Sequence, residues 1–282
     1  MPEDTDICIR DARVTCIPVT TRVPLKFGTE TLTTVTVARA CITAAKSDGT
    51  QGEGIGETPL SVQWVWPSTR PYEERHLALI AFTHQLAAAW SQATGSGHAL
   101  EIGHDFIRQE LKREWETFNA GRSESMPWLA ALVCCSLFDI AVHDAYGKLN
   151  GCPVYETYNA AYLNRDLSAF IEPAEDSEVD FSGVYPDHYL VHPRPNVLPA
   201  WHLVGGLDAL AAADLDGSEP DDGYPVTLEQ WIATDGLTCL KIKLRGNDGA
   251  WDYARMVRIG EIALAMGVTS LSTDFNCTVT DP

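Results

Sequence analysis

The 282-residue sequence predicts an α+β domain followed by a parallel α/β sheet or barrel. In the first half, three β-rich runs precede three segments with helical spacing of apolar residues. Near the end, a helical pattern over 250–266 separates two short strand-like runs. A strand, a helix and a second strand form a crossover unit, and crossovers of this kind make parallel sheets.

The α+β domain is predicted from alternation, turn signals and helical periodicity. Strands are predicted over 7–19, 32–44 and 52–57, the second from its run of β-branched residues. The third strand contains Gly-x-Gly-x-Gly, but no βα crossover follows it, so a dinucleotide site is disfavoured. The predicted helices cover 72–90, the region of 106–115, and 127–149. The last is apolar nearly all round, which predicts a buried helix.

The middle of the chain is acidic and rich in proline. Residues 156–197 are therefore predicted to be a linker or surface excursion. A strand over 198–205 begins the α/β part. It is followed by the acidic insertion (208–224) and a short helix over 228–233. The predicted domains are 1–155, 156–197 and 198–282.

The chain carries 39 acidic and 20 basic residues, a formal net charge of -19. This charge argues against nucleic acids and anionic membranes as partners. The eight cysteines contain no Cys-x-x-Cys spacing, and two lie in an apolar helix, so reduced thiols are favoured over disulfides. The first six residues lack the apolar core of a signal peptide. We expect a cytoplasmic homo-oligomer with no membrane partner.

The strand-like runs near the end carry the candidate chemistry. In the first run, Lys241 and Lys243 share one face, and the apolar residues between and beside them share the other. The second run ends in Asp274, with Asn276 two residues later. An isolated Lys-Ile-Lys is typical of an exposed edge strand. A parallel sheet is covered on both faces, however, so here the lysines are predicted to point inward beside a carboxylate.

Lys-x-Lys at the end of one strand and Asp-x-Asn at the end of the next resemble the enolase superfamily, in its mandelate racemase and muconate-lactonizing branch. The run 131–153, with Phe-Asp-Ile-Ala and Gly-Lys-Leu-Asn-Gly-Cys-Pro, resembles the last helix of that family's capping domain. The strand over 52–57, followed by Pro59, also fits that domain. The resemblance implies an α+β capping domain and a TIM-like barrel, of which this chain holds only the first three βα units.

The resemblance also implies residue roles. Lys243 would be the general base or acid, and Lys241 would favour its neutral form by repulsion and help to hold the developing anion. Asp274 would be one ligand of an essential Mg²⁺, and Asn276 a neighbouring polar support. Two loops, 23–31 and 60–67, would close over the barrel mouth. The candidate pocket walls on these loops are Phe27, Trp64 and Trp66, with ordinary loop packing as the alternative.

The implied reaction is the Mg²⁺-dependent abstraction of the α proton from a small carboxylate substrate through an enediolate. The outcome would be racemisation, epimerisation or cycloisomerisation. An acid-sugar dehydratase and a non-catalytic binding or assembly descendant remain alternatives. A β/α barrel needs about 250 residues, so we expect these 282 residues to be part of a longer polypeptide. The remaining metal ligands and a second acid/base would follow Pro282, and the 282 residues alone would not turn over substrate.

Overall fold

The computed structural model describes residues 4–27, 30–275 and 279. The chain divides into two compact units. The first unit comprises Met1–Val19 and Thr36–His192, and the second comprises Thr20–Val35 and Pro193–Pro282. This division differs from the predicted boundaries in two respects. Most of the predicted linker, up to His192, belongs to the first unit. Thr20–Val35, from the predicted first domain, belong to the second unit.

A four-stranded sheet begins in the first unit, in the order β3-β2-β1-β4. Its strands are β1 (Ile7–Phe27), β2 (Glu30–Lys46), β3 (Gln51–Pro59) and the short β4 (Ser96–Gly97). The pairs β2–β3 and β1–β4 are antiparallel. The three strands predicted for this domain are therefore confirmed, although β1 is considerably longer than predicted.

The predicted loop over 23–31 is wrong for the described residues, because they continue β1 as far as Phe27 and resume in β2 at Glu30. In the described part of the sheet, β4 pairs with β1 only at Ile7 and Cys8. Beyond these residues, no described strand pairs with this edge of β1. Pro18 and Pro24 have no amide proton to donate, and such an edge tolerates them. The loop predicted over 60–67 contains a single helical turn, α1 (Val62–Val65).

The helices of the first unit agree with the predicted pattern. They are α2 (Tyr72–Ser91), α3 (Ala99–Asp105), α4 (Lys112–Asn119) and α5 (Trp128–Asn150). A π-helical stretch, Phe106–Leu111, joins α3 to α4, so the predicted second helix is one continuous helix with a wide turn in its middle. Gly151 ends α5 in the left-handed conformation, with φ 66°.

The glycines of β3 allow α5 to lie directly on the sheet. A Cβ atom at Gly54 would overlap the carbonyl oxygen of Ala141, and one at Gly56 would overlap that of Leu137. The Gly-x-Gly-x-Gly pattern is thus explained by close packing. Among the described residues, α5 is the one helix whose length and apolarity would let it cross a membrane. Half of that stretch is buried, as is usual for the core helix of a folded domain.

The second unit contains a three-stranded parallel sheet in the order β5-β6-β7. The strands are β5 (Trp201–Val204), β6 (Cys239–Lys243) and β7 (Ser270–Asp274). The crossovers contain α6 (Leu228–Asp235) and α7 (Gly249–Ala265). The predicted succession of strands and helices is confirmed here, and so is the parallel direction of the strands.

Helix signals in the sequence explain where α6 starts and stops. Thr227 and Gln230 form a capping box at its first turn, and Gly236 ends it with φ 60°. The core of this unit joins Val204, Leu240 and Ile242 of the sheet to buried apolar residues of the helices. The apolar face of β6 is therefore the face that the helices cover, and the lysine face is the opposite one.

Candidate active site

Strand register brings the predicted residues to one end of the parallel sheet. Lys241 lies opposite Leu203 of β5 and Ser272 of β7, and Lys243 lies opposite Asp274. These positions are on the face that points away from the helices. Lys243 and Asp274 are the last residues of their strands. Carboxyl ends of barrel strands are where catalytic groups lie in β/α barrels.

Both lysines contact the same oxygen of Asp274. The distance to Oδ2 is 2.6 Å from Lys243 Nζ and 3.0 Å from Lys241 Nζ. The Lys243 side chain is 13% exposed, that of Asp274 29%, and that of Lys241 43%. The structure therefore brings three of the predicted site residues together, and their catalytic roles stay predictions.

The shared carboxylate offsets the repulsion between two neighbouring ammonium groups. The effect is largest for Lys243, because the more buried of two charges loses more hydration and depends more on its partner. The backbone fixes the same end of the sheet, where the Leu244 amide donates to the Asp274 carbonyl at 3.0 Å. The Lys243 ammonium group is thus held beside the Asp274 carboxylate.

Asp252 is a supporting residue that the sequence analysis did not identify. It lies in the first turn of α7 and is 5% exposed. Its carboxylate accepts the amide protons of Arg245 and Gly246 at 2.7 and 2.8 Å. These bonds fix the turn that begins two residues after Lys243, the last residue of β6. An aspartate in the first turn of a helix is common, and nothing in the local sequence points to this second contact.

The remaining predicted site residues are separate cases. Asn276 lies outside the described residues. Phe27 ends β1, and its side chain is also outside them. In the first unit, Trp64 is 58% exposed. Trp66 is buried, with its indole N–H donating to Glu124 Oε1 at 2.7 Å, which favours ordinary packing for this residue. The pocket-wall roles stay predictions.

Asp274 has the oxygen donor that Mg²⁺ prefers, and it fits as one ligand of such an ion. Across 4–27, 30–275 and 279, no group of three or more histidine, cysteine or acidic residues is placed to hold a metal ion. One carboxylate that already faces two ammonium groups does not balance a divalent cation. The described residues therefore supply one candidate ligand, and a complete site would need others.

Comparisons with known proteins show a likeness in fold without a match in sequence. No protein-family model and no curated protein matches the chain. A dipeptide epimerase from Methylococcus capsulatus, solved with Mg and the dipeptide L-Arg-D-Lys, matches at TM-score 0.52 and 16% identity over 96% of this chain and 55% of that one. The L-Ala-D/L-Glu epimerase from Bacillus subtilis matches at TM-score 0.53 and 16% identity, over 95% and 54%. An enolase from Bradyrhizobium, solved with magnesium and mandelic acid, matches at TM-score 0.51 and 14% identity, over 96% and 55%.

These likenesses show that the chain shares the fold of the matched structures over about half of their length, an α+β domain followed by part of a parallel α/β barrel. The fold class expected from the lysine and aspartate motifs is confirmed. The chain spans about half the length of the solved structures that it matches. Activity, substrate and metal therefore belong to the proposal below.

Proposed function

We propose that the chain supplies the lysine pair and one metal ligand of a Mg²⁺-dependent enzyme that abstracts the α proton of a carboxylate substrate. The observation that carries the proposal is the convergence of Lys241 and Lys243 on Asp274 within 3.0 Å. It occurs at the carboxyl ends of adjacent parallel strands. The fold likeness supports it, because two of the matched structures are complexed with magnesium and a carboxylate-bearing ligand.

Lys243 is the proposed acid/base. In the reacting state Nζ has given its ammonium proton to solvent and takes the proton from the α carbon; the C–H electron pair passes to the carboxylate group, and an enediolate remains. A second acid, outside the described residues, delivers a different proton to the opposite face of that carbon and inverts it, which gives racemisation or epimerisation. Lys241 is the more exposed of the pair, and it holds the negative charge that develops on the substrate oxygens.

Mg²⁺, when bound, would stabilise the same negative charge, and Asp274 would supply one of its oxygen ligands. The protein's own contribution is to fix these groups on rigid strands. Charge that develops near fixed donors costs little reorganisation, which is the general advantage of a preorganised site.

Solvent isotope exchange tests the proposal. The full-length protein is incubated with Mg²⁺ in deuterated water and with a panel of 2-hydroxy acids, amino acids, dipeptides and acid sugars. We expect the α proton of at least one substrate class to exchange. Loss of water from an acid sugar would assign the dehydratase alternative. Absence of exchange with the whole panel would contradict the proposal and favour a non-catalytic descendant.

A variant and a matched control test whether Lys243 is the acid/base. Lys243→Met is expected to reduce exchange by about 10²-fold or more, because a positioned acid/base contributes roughly 10²–10⁴-fold. The control is Lys148→Met in the first unit, where Lys148 Nζ makes a similar ion pair with Asp144 at 2.7 Å. The control should keep wild-type exchange. If Lys243→Met also keeps it, Lys243 is not the acid/base.

A further inference from the structure

The acidic insertion (208–224) lies where the family resemblance does not extend, and three arginines hold it and its flanks. Arg255 donates to the carbonyls of Gly205 and Asp208 at 2.6 and 2.9 Å. Arg258 donates to both carboxylate oxygens of Asp214 at 2.8 Å. Arg255 and Arg258 are both on α7.

The third arginine, Arg22, comes from β1, 200 residues away along the chain. Its Nε and Nη2 donate to the two oxygens of Asp222 at 2.6 and 2.7 Å. Its Nη1 and Nη2 also donate to the carbonyls of Pro225 and Tyr224 at 3.1 and 3.3 Å. The planar guanidinium matches a carboxylate with two parallel bonds, which the ammonium of a lysine cannot do.

A second attachment ties this part of β1 to the end of β5, the strand next to β6. The Gly206 amide donates to the Lys26 carbonyl at 3.1 Å. Val204 is the last residue of β5 and is in register with Ile242, so Gly206 lies just past the carboxyl end of β5. The last residues of β1 are thus held at the carboxyl ends of the parallel strands, where the candidate active site lies.

The acidic insertion depends more on these polar ties than on apolar packing. A cavity of about 780 Å³ lies between the insertion, residues 22–25 of β1, and α7. Leu210 is fully buried, whereas Leu215 and Tyr224 are exposed. A segment over a cavity with few buried apolar contacts opens at low free-energy cost once its polar bonds are removed.

We propose that Arg22 is a positioning residue that fastens the acidic insertion to β1 and thereby fixes the end of β1 at the carboxyl-end edge of the parallel sheet, the edge that carries the lysine pair. The consequence for substrate binding rests on the proposed function. Loss of Arg22 leaves the backbone bond between Gly206 and Lys26 and the pairing of β1 with β2 in place, but removes the four bonds to residues 222–225. The end of β1 then moves more freely, and substrate affinity falls while the chemical step is unaffected.

Amide hydrogen exchange tests the structural part on the full-length protein. In Arg22→Ala, exchange over 20–27 and 222–226 is expected to accelerate about tenfold, since the variant loses both bonds to Asp222 and both bonds to the neighbouring carbonyls. Arg22→Lys should give most of the same acceleration in amide exchange, because lysine keeps the positive charge but cannot make the two parallel hydrogen bonds to Asp222. Arg258→Ala is the matched control, and it should accelerate exchange near Asp214 while residues 20–27 stay protected.

A charge-exchange double variant distinguishes loss of the ion pair between Arg22 and Asp222 from a general disruption of the fold. The double variant Arg22→Asp with Asp222→Arg should recover protection over 20–27 relative to either single variant. Unchanged protection in Arg22→Ala would overturn the proposal. Equal loss of protection over 20–27 in the Arg258→Ala control would also overturn it.

Steady-state kinetics test the functional part with a panel substrate that exchanges. Arg22→Ala should raise KM about tenfold with kcat nearly unchanged, the signature of lost ground-state binding. Lost amide protection with an unaltered KM would overturn the positioning role. If the wild-type protein exchanges no substrate, the positioning role falls with the proposed function. The amide data still decide in that case whether Arg22 fixes the end of β1.

Discussion

Removing the shared carboxylate should affect the two lysines unequally. In Asp274→Asn the side chain keeps its shape and loses its charge. Two ammonium groups then face each other without the shared carboxylate, and Lys243, only 13% exposed, cannot recover full hydration. Lys241 is 43% exposed and turns to solvent at little cost. Asp274→Asn is therefore expected to lower the free energy of unfolding mainly through Lys243 and hardly at all through Lys241.

Double-mutant cycles give the magnitudes. For Lys243 and Asp274, a charge-assisted bond at 2.6 Å predicts a coupling free energy of about 2 kcal/mol. For Lys241 and Asp274, the exposed pair at 3.0 Å predicts about 0.5 kcal/mol. In the Asp274→Asn background, replacing either lysine by methionine should recover stability, because it removes the repulsion between the two ammonium groups.

Urea unfolding of the full-length protein in the presence of EDTA measures both cycles, which use Lys243→Met, Lys241→Met, Asp274→Asn and the two double variants. Added salt provides an independent check, because it screens exposed charges more than half-buried ones. The Lys241 coupling should fall with salt, and most of the Lys243 coupling should remain. Equal couplings, or a larger one for Lys241, would refute the assignment of Lys243 as the protected member of the pair.

Two predictions concern the rest of the fold. Burial, and then the charge of His143, lowers the pKa of His98 to about 3 from its ordinary 6.5. The unfolded chain then binds the extra proton below pH 6.5, so stability is full above that pH. It falls by up to about 1.4 kcal/mol per unit towards pH 3, and this slope should flatten in His98→Asn. Gly56→Ala, where a Cβ overlaps the Leu137 carbonyl, should cost about 1–3 kcal/mol in urea unfolding. Gly260→Ala in α7, with nothing within 4 Å, should stabilise by up to about 1 kcal/mol, and equal effects of the two glycine substitutions would contradict the packing of β3 on α5.

The neutral state of His98 follows from its hydrogen bonds. Its Nδ1 accepts the Leu100 amide proton at 3.0 Å, so that nitrogen carries no proton. Its Nε2 then donates to the Thr157 hydroxyl at 2.8 Å, and that hydroxyl donates to the Val154 carbonyl. A second proton on the ring would break the first of these bonds in a fully buried site.

The sequence analysis is least informative where distant residues decide the local structure. Residues 156–192 are acidic and rich in proline, and they predict a linker or surface excursion. Arg165, however, makes two bonds of 2.9 Å to Asp105, and its amide donates to the buried Glu101 at 2.8 Å. These partners are about 60 residues away along the chain. A local sequence pattern does not show such contacts. It also does not show that β4 pairs with β1 only at Ile7 and Cys8, which allows β1 to continue through Pro18.

The sequence by itself determined which residues share a face. Alternation with period two separates Lys241 and Lys243 from the apolar residues of β6, and the helical pattern between β6 and β7 requires a parallel crossover. Tertiary structure decided that both lysines meet a single oxygen of Asp274, and that Arg22 reaches Asp222. Periodicity is a property of neighbouring residues and can be read from a string. Register between strands, and contacts across 200 residues, depend on how the whole core packs.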